Sequence, residues 1–327
     1  MIHLVCPNPA LDRTLVVDHL QIGVPNRPKQ VGEFPGGKSF NVAYALSVGG
    51  MGQQVTVHAP LGGRTGQRVS DLARQNGYLL QALPTPTATR MCNILVDAST
   101  GQVLPVYERG LDFDAVEGEA LRASILTSLQ PGDWVVFSGS LPSGLEGSFL
   151  ASLVTDAKAK GALTAVDASG EALIAAHLSA PTLLKINNEE LAELTNSPVD
   201  RFACLDEVGK ALLSEVSPAI PLAAVTLGPR GVVSRCGNTV FHHADGHLEV
   251  RNPVASGDIL LGGLLAVLAD KSPLLGTTPT FSDDDVDAAV RLGMSWAGSN
   301  CLHDFPHVEL AEAERHATTI TRSRLPI

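Results

Sequence analysis

The feature that most narrows the fold is an alternation running through the first two thirds of the chain. Ile2–Cys6, Val55–Ala59, Trp134–Phe137, Leu163–Val166, Leu183–Ile186 and Ala223–Leu227 are short apolar runs that read as strands. Between them, Asn41–Val48, Gly66–Asn76, Ser148–Lys160, Ala172–Leu178 and Glu189–Thr195 carry the wider periodicity of helices. Apolar strands that alternate with helical segments form a mostly parallel sheet, because a parallel return needs a crossover and the crossovers cover both faces. The expectation is therefore a three-layer α/β/α domain.

Two segments interrupt the alternation. Thr14–Phe34 and Ala88–Arg109 are β-like and hold no helix, with β-branched alternation such as Met91-Cys92-Asn93-Ile94-Leu95-Val96-Asp97. Both excursions are expected to leave the main sheet and pair with each other as a small lid, formed by about 12–34 and 88–110. After Leu227 come short β pieces, Val232–Cys236, Val240–His243 and Leu248–Val250, with Asp245-Gly246 as a tight turn between the last two. Helical segments follow at Gly257–Ala269, Asp284–Ser299 and Val308–Ile320, and Asp283-Asp284-Asp285 suits the charged start of a helix. No low-complexity linker or internal repeat divides the chain, so 1–327 reads as one domain.

Charge restricts the partners. Lys+Arg number 23 against 34 Asp+Glu, a net −11, which disfavours nucleic acid or an anionic membrane as a partner. Any anionic substrate must be met by a few locally placed cations. The first residues lack the basic and apolar regions of a signal peptide, and Ile259–Ala269 is about half the roughly 20 residues of a membrane span. The five cysteines have no C-x-x-C spacing, which fits a reducing compartment and buried apolar roles. A cytoplasmic protein is expected.

Several loops carry candidate chemistry. Gly32-Glu33-Phe34-Pro35-Gly36-Gly37-Lys38-Ser39 satisfies the phosphate-loop pattern G-x-x-x-x-G-K-[ST], but a phosphate loop needs a buried strand before it. Here the preceding Pro25-Asn26-Arg27-Pro28-Lys29-Gln30 is polar and proline-broken. The segment is then either a glycine turn capping the next helix or a place where a substrate nears the backbone and Lys38 meets an anion. Ala255-Ser256-Gly257-Asp258 precedes an apolar helix, whose start offers unpaired amides at the positive end of the dipole. Either that start is an anion hole with Asp258 beside the anion, or Ser256 or Asp258 merely caps the helix. Asn187 and Glu190 lie three apart at another helix start, so both can face one metal–water shell. His242, His243 and His247 flank the Asp245-Gly246 turn and are expected on an exposed hairpin rather than around a metal.

These loops occur in a telling order. Asn8-Pro9-Ala10-Leu11-Asp12, Pro35-Gly36-Gly37-Lys38 with Asn41, Ser138-Gly139-Ser140-Leu141-Pro142, Val166-Asp167-Ala168-Ser169-Gly170, Lys185–Glu190, Thr226–Gly231 and Ser256-Gly257-Asp258 follow one another across nearly the whole chain. Together they resemble the ribokinase-like PfkB carbohydrate kinases, and within them the phosphosugar branch of 1-phosphofructokinase, tagatose-6-phosphate kinase and minor 6-phosphofructokinase. The resemblance implies an ATP- and Mg²⁺-dependent kinase that phosphorylates fructose 1-phosphate, fructose 6-phosphate or tagatose 6-phosphate to a bisphosphate. It implies Asp258 as the base, and Ala255, Ser256 and Gly257 as the anion hole. Asp12, Gly37, Lys38, Asn41, Arg90 and Arg27 would bind the sugar phosphate, the three cations taking its phosphate. Lys185, Asn187, Thr226, Gly228, Gly231 and Asn300 would line the nucleotide site, and Asn187 and Glu190 would serve Mg²⁺. A homodimer through the lid is expected.

The chain departs from the family's pattern at a few positions. Gly-Gly-Lys-Gly reads Gly-Gly-Lys-Ser, Gly-Ala-Gly-Asp reads Ala255-Ser256-Gly257-Asp258, and Ile186 replaces a proline. Two other readings compete: a non-catalytic sugar-phosphate or nucleotide sensor, and a kinase of an uncharged sugar or nucleoside. Asp258 disfavours the first, and three cations facing a neutral ligand disfavour the second.

Overall fold

A computed structural model describes residues 1–246, 248, 250–271 and 279–327. In chain order the strands are β1 (Ile2–Val5), β2 (Ala10–Val17), β3 (Gln30–Gly36), β4 (Val55–Leu61), β5 (Leu79–Pro84), β6 (Arg90–Asp97), β7 (Val103–Tyr107), β8 (Trp134–Ser138), β9 (Leu163–Asp167), β10 (Leu183–Asn187), β11 (Leu222–Thr226), β12 (Val232–Cys236), β13 (Thr239–Ala244) and β14 (Thr321–Arg324). The α-helices are α1 (Lys38–Val48), α2 (Gly63–Gln75), α3 (Ala115–Ser128), α4 (Gly147–Ala159), α5 (Gly170–Leu178), α6 (Asn188–Leu194), α7 (Leu205–Ser214), α8 (Ser256–Leu268), α9 (Asp283–Cys301) and α10 (Leu310–Ala317).

Ten strands form the central sheet in the order β14-β13-β12-β11-β10-β9-β8-β1-β4-β5. From β5 to β11 every pairing is parallel, and β12, β13 and β14 extend that edge antiparallel. Alternate side chains of each buried strand point to opposite faces. Trp134 and Val136 of β8 join the core under α1, α2, α8 and α9, while Val135 and Phe137 join the core under α3–α7. This is the expected ribokinase-like three-layer α/β/α fold. On the first face α8 and α9 approach so closely that a side chain at Gly263 would run into the backbone of Gly293.

The two excursions pair as expected. They form a separate sheet, β3-β2-β6-β7, with β2 and β6 parallel and each carrying an antiparallel partner. Val16, Ile94 and Val96 pack from this sheet onto Val254 and Phe305. The Gly32–Ser39 motif runs from within β3 of this small sheet into α1 and follows no central strand, so the phosphate-loop reading has no structural footing.

Other expectations are corrected. The turn that joins the last paired strands before α8 lies between β12 and β13, at Gly237 with φ 54°, and not at Asp245-Gly246. Leu248–Val250 forms no strand where it is described, and His247 and Glu249 lie outside the described residues. His243 is fully buried and its Nε2 meets Asp287 Oδ1 at 3.0 Å, so the exposed histidine hairpin is not found. Cys204 is exposed, unlike buried Cys6, Cys92 and Cys301, and all five thiols are free. Among the described residues no helix is long and apolar enough to cross a membrane.

Candidate active site

The sheet order reverses at β1: the chain adds β4 and β5 on one side, then β8 and its successors on the other. Such a switch point leaves a crevice at the carboxyl ends of the strands, where α/β sheets bind ligands. A cavity of about 320 Å³ opens there. Residues after β1 (Cys6, Pro7, Asn8) and after β8 (Gly139, Ser140) form its floor, with Gly37, Lys38 and Asn41 from the start of α1. The small sheet supplies Asp12, Arg90, Cys92, Ile94 and Tyr107, and Val254, Ala255 and Asp258 close it from the start of α8.

Five charged groups cluster at and beneath this floor, of which Lys38 and Asp258 line the cavity. Asp167, at the end of β9, has no exposed side-chain surface; its Oδ2 accepts from Lys185 Nζ at 2.8 Å and its Oδ1 from Lys38 Nζ at 3.2 Å. Lys38 Nζ also lies 3.9 Å from Glu190 Oε1. Asn41 donates to Asp258 Oδ2 at 2.9 Å. Three carboxyl groups thus lie around two ammonium groups, Asp258 without a direct ion pair and Lys38 partly open to water. Burial disfavours every charge, so the carboxyls with the weaker pairing hold their protons longest. Burial and the neighbouring Asp167 charge push the Asp258 carboxyl up to about 7, against the pull of Lys38, Lys185 and Asn41. Glu190 is raised by burial and by Asp167, with Lys38 opposing. Burial also opposes ionisation of Asp167, yet Lys185 and Lys38 outweigh it and hold that carboxyl low. For Lys38, burial is outweighed by Asp167, Asp258 and Glu190, so the ammonium is held above its usual range.

The start of α8 leaves backbone amides free at the cavity. No side chain caps the helix, so the reading of Ser256 or Asp258 as a cap is not met. The Ser256 amide is spent on the Pro253 carbonyl at 3.2 Å, whereas the amides of Ala255 and Gly257 have no acceptor among the described residues. A Cβ on Gly257 would stand 3.1 Å from Lys185 Nζ, so that ammonium underlies the hole. Ala255 itself adopts φ 65°, ψ −5°, a conformation that costs a residue with a side chain about 1–2 kcal/mol. It stands where the resembling family has glycine.

Toward the small sheet, burial pushes the Asp12 carboxyl up to about 6, with Arg90 and a hydrogen bond from Cys92 opposing. A side chain at Gly36 would run into that carboxyl. Arg90 donates to the carbonyls of Asn8 at 3.2 Å and Glu108 at 3.3 Å, which fixes the guanidinium at the cavity wall. Gly37 has φ 108°, and a Cβ there would meet Cys6 Sγ at 2.8 Å.

The remaining sequence candidates are placed elsewhere. Arg27 sits exposed on the loop between β2 and β3 and lines no part of the cavity. Thr226 ends β11, and Gly228 and Gly231 follow it, all three outside the cavity lining. Asn187 and Glu190 are joined in a capping box at the start of α6, each backbone amide donating at 2.8 Å to the other's side chain. Asn300 is buried, with Nδ2 donating to Val254 O at 2.8 Å and Ser256 Oγ at 3.1 Å, so it holds the hole's loop in shape. Asp167 escaped the sequence reading as a site residue. Two lysines expected near one sheet end, Lys38 and Lys185, were the signal that a buried acid had to join them.

Comparison with known proteins bears on what this cavity is for. A tagatose-6-phosphate kinase of Staphylococcus epidermidis is 29% identical over 270 residues, covering 82% of this chain and 85% of that one. Phosphofructokinase-2 from Escherichia coli, solved with substrates and products, superposes with a TM-score of 0.86 at 24% identity over 97% of this chain and 98% of its own. A possible 1-phosphofructokinase from Thermotoga maritima gives 0.83 at 18% identity over 99% of both chains. Those structural likenesses establish the fold. Residues 8–302 match the family described as pfkB family carbohydrate kinase, and with a span from the first cavity loop to the end of α9 the chain belongs to that family.

Proposed function

We propose that the protein is an ATP-dependent kinase of a ketohexose phosphate, acting on fructose 1-phosphate, fructose 6-phosphate or tagatose 6-phosphate. The observation that carries this reading is one cavity lined by Asp258, Ala255, Lys38 and Arg90, with the free amides of Ala255 and Gly257 at the same helix start. Phosphoryl transfer asks a protein for positioning, charge stabilisation and a proton acceptor. With a pKa near 7, Asp258 is suited to take the proton of the attacking hydroxyl at neutral pH. The amides of Ala255 and Gly257 hold the transferring group, and Lys185 beneath them adds positive charge. Asp12 and Asn41 orient the sugar hydroxyls beside the Gly37 turn.

The resident phosphate of the substrate is assigned to Arg90 and Lys38, with Arg27 joining only as the small sheet closes over the sugar. Closure of that sheet excludes water that would otherwise hydrolyse ATP. Its outer face exposes Val31, Leu104 and Val106, which supports a homodimer through the lid. ATP enters from the side of Thr226, Gly228 and Gly231. Mg²⁺ fits the residues present: the capping box uses Glu190 Oε2 and Asn187 Oδ1, leaving Glu190 Oε1 for the water shell of an ion that keeps most of its waters. When bound, the ion neutralises charge on the ATP phosphates. Five free thiols support a reducing, cytoplasmic setting.

The test is a coupled assay of ADP release against a panel of sugar phosphates, free fructose, ribose and a nucleoside. Sugar phosphates should be preferred by kcat/KM. Arg90→Ala should raise KM for the best of them by about 10- to 100-fold and leave KM for ATP nearly unchanged, as losing a charge-assisted contact predicts. A free sugar or nucleoside as the better substrate would overturn the phosphosugar assignment.

A further inference from the structure

The connection between α9 and α10 gathers a second set of polar side chains, separate from the cavity. One ring nitrogen each of His303 and His307 and a carboxylate oxygen of Glu309 all lie within 4.8 Å of one another. The two imidazoles meet edge to face with centroids 4.6 Å apart. None of the three lines the cavity. We propose that His303, His307 and Glu309 form a binding site for a transition-metal dication of the zinc type.

The donor set decides the class of ion. Magnesium and calcium take oxygen ligands, whereas two imidazoles with one carboxylate suit zinc, cobalt or nickel. Ligand atoms on a tetrahedral zinc with bonds of about 2.0–2.1 Å stand roughly 3.3 Å apart. His307 and Glu309 are exposed, so rotation of their side chains closes the remaining gap. Three protein ligands leave a fourth position for water. A supporting carboxylate is also in place: Glu312 Oε2 holds His303 Nε2 at 2.8 Å and accepts from Ser299 Oγ at 2.9 Å. Nδ1 of that ring is then left for the ion, an arrangement that orients metal-bound histidines. The ion pins a segment that matters to the site. The His307 amide donates to Asn300 Oδ1 at 3.1 Å, Asn300 braces the Ala255–Gly257 loop, and Phe305 meets Phe34 of the small sheet at 5.9 Å.

Titration calorimetry of the full-length, chelator-dialysed protein with Zn²⁺, in excess Mg²⁺ and without nucleotide, tests this independently of any kinase activity. One ion per chain should bind. His307→Ala should weaken binding by at least about 100-fold, and Glu312→Gln, which leaves the three ligands in place, by about 10- to 100-fold. Glu309→Gln carries the first expectation should His307→Ala fail to fold. Co²⁺ in place of Zn²⁺ should give a visible spectrum without the charge-transfer band of a thiolate. Absence of saturable Zn²⁺ binding, unchanged affinity in His307→Ala and Glu309→Gln, or a thiolate band pointing to the cysteines would each overturn the proposal.

Discussion

The two ends of the central sheet bury polar groups in opposite ways. At the amino ends of β1 and β8, His3 Nδ1 meets His58 Nε2 at 3.1 Å and His3 Nε2 meets Asp133 Oδ2 at 3.3 Å. Asp133 Oδ1 takes the N-terminal ammonium at 2.7 Å, and His58 Nδ1 ends the run on Ser124 Oγ at 3.2 Å. Every member is partnered and the charges cancel. At the carboxyl ends, Asp167 pairs with Lys38 and Lys185 and Glu190 lies beside Lys38, while Asp258 has no ion pair among the described residues, so one carboxyl is left over beside a cavity. A closed chain of buried hydrogen bonds locks protonation states in place, while a buried surplus charge moves one group into the neutral range where it can exchange a proton. Burial lowers His58 to about 3, whereas burial and Asp167 raise Asp258 to about 7.

The largest expected effect breaks the open end. Asp258→Asn should cut kcat by about 10²–10⁴, the usual cost of losing a general base. The same change should stabilise the fold above pH 7. Asp258 has a folded pKa above its unfolded 3.8, so its contribution is present at low pH and is lost as pH rises through about 7. A variant that keeps more than a tenth of wild-type turnover would remove Asp258 from the chemistry.

Acid should then reproduce much of that loss in the wild type. Below an apparent pKa near 7, kcat/KM should fall about tenfold per pH unit, because the proton acceptor is increasingly occupied. A flat profile between pH 5 and 8 would place the base elsewhere. A smaller effect separates charge from architecture at α6. Glu190→Gln keeps a side chain able to complete the capping box, so thermal stability should hold. The Mg²⁺ concentration for half-maximal rate should nevertheless rise several-fold, and an unchanged titration would make Glu190 a helix-start residue only.

The closed end should leave catalysis alone. His58 has a folded pKa below its unfolded 6.5, so its contribution to stability is present above pH 6.5 and is lost as pH falls toward 3. His58→Gln should flatten the acid limb of thermal stability while kcat and KM at pH 7.5 stay within about twofold, since surface and structural changes remote from a site seldom reach it. A larger kinetic change would mean that the two ends are coupled through β1.

Much of this was legible in the chain. The parallel strands from β1 to β11 are apolar at nearly every position, and their ends lie within a residue or two of where the runs stop. What escaped was what the pattern does not encode. All four residues of β14 are exposed and polar, so no apolar alternation marks this edge strand. β5 ends in Pro84 and is mostly exposed. In α3 only Gly118, Leu121 and Ile125 are buried, too thin a stripe to register, although its Asp114–Glu117 capping box marks the start. The motif loops that line the cavity do lie at the sheet's carboxyl end. They did not reveal that Lys38 spends its charge on Asp167, or that Asn300 faces inward to brace a loop, because both depend on partners more than forty residues away.

The small sheet also has a history written into its connectivity. β2 with β3 and β6 with β7 are two local hairpins, each able to form early. The seam between them joins Ala10 to Arg90 in parallel, across a stretch that contains α1, β4, α2 and β5. Contacts of such sequence separation are won only after the intervening chain has docked, since its loop entropy must be lost first. The seam between β2 and β6 is therefore expected to close later than either hairpin, and it runs beside Asp12 and Arg90, where the sugar is expected to lie.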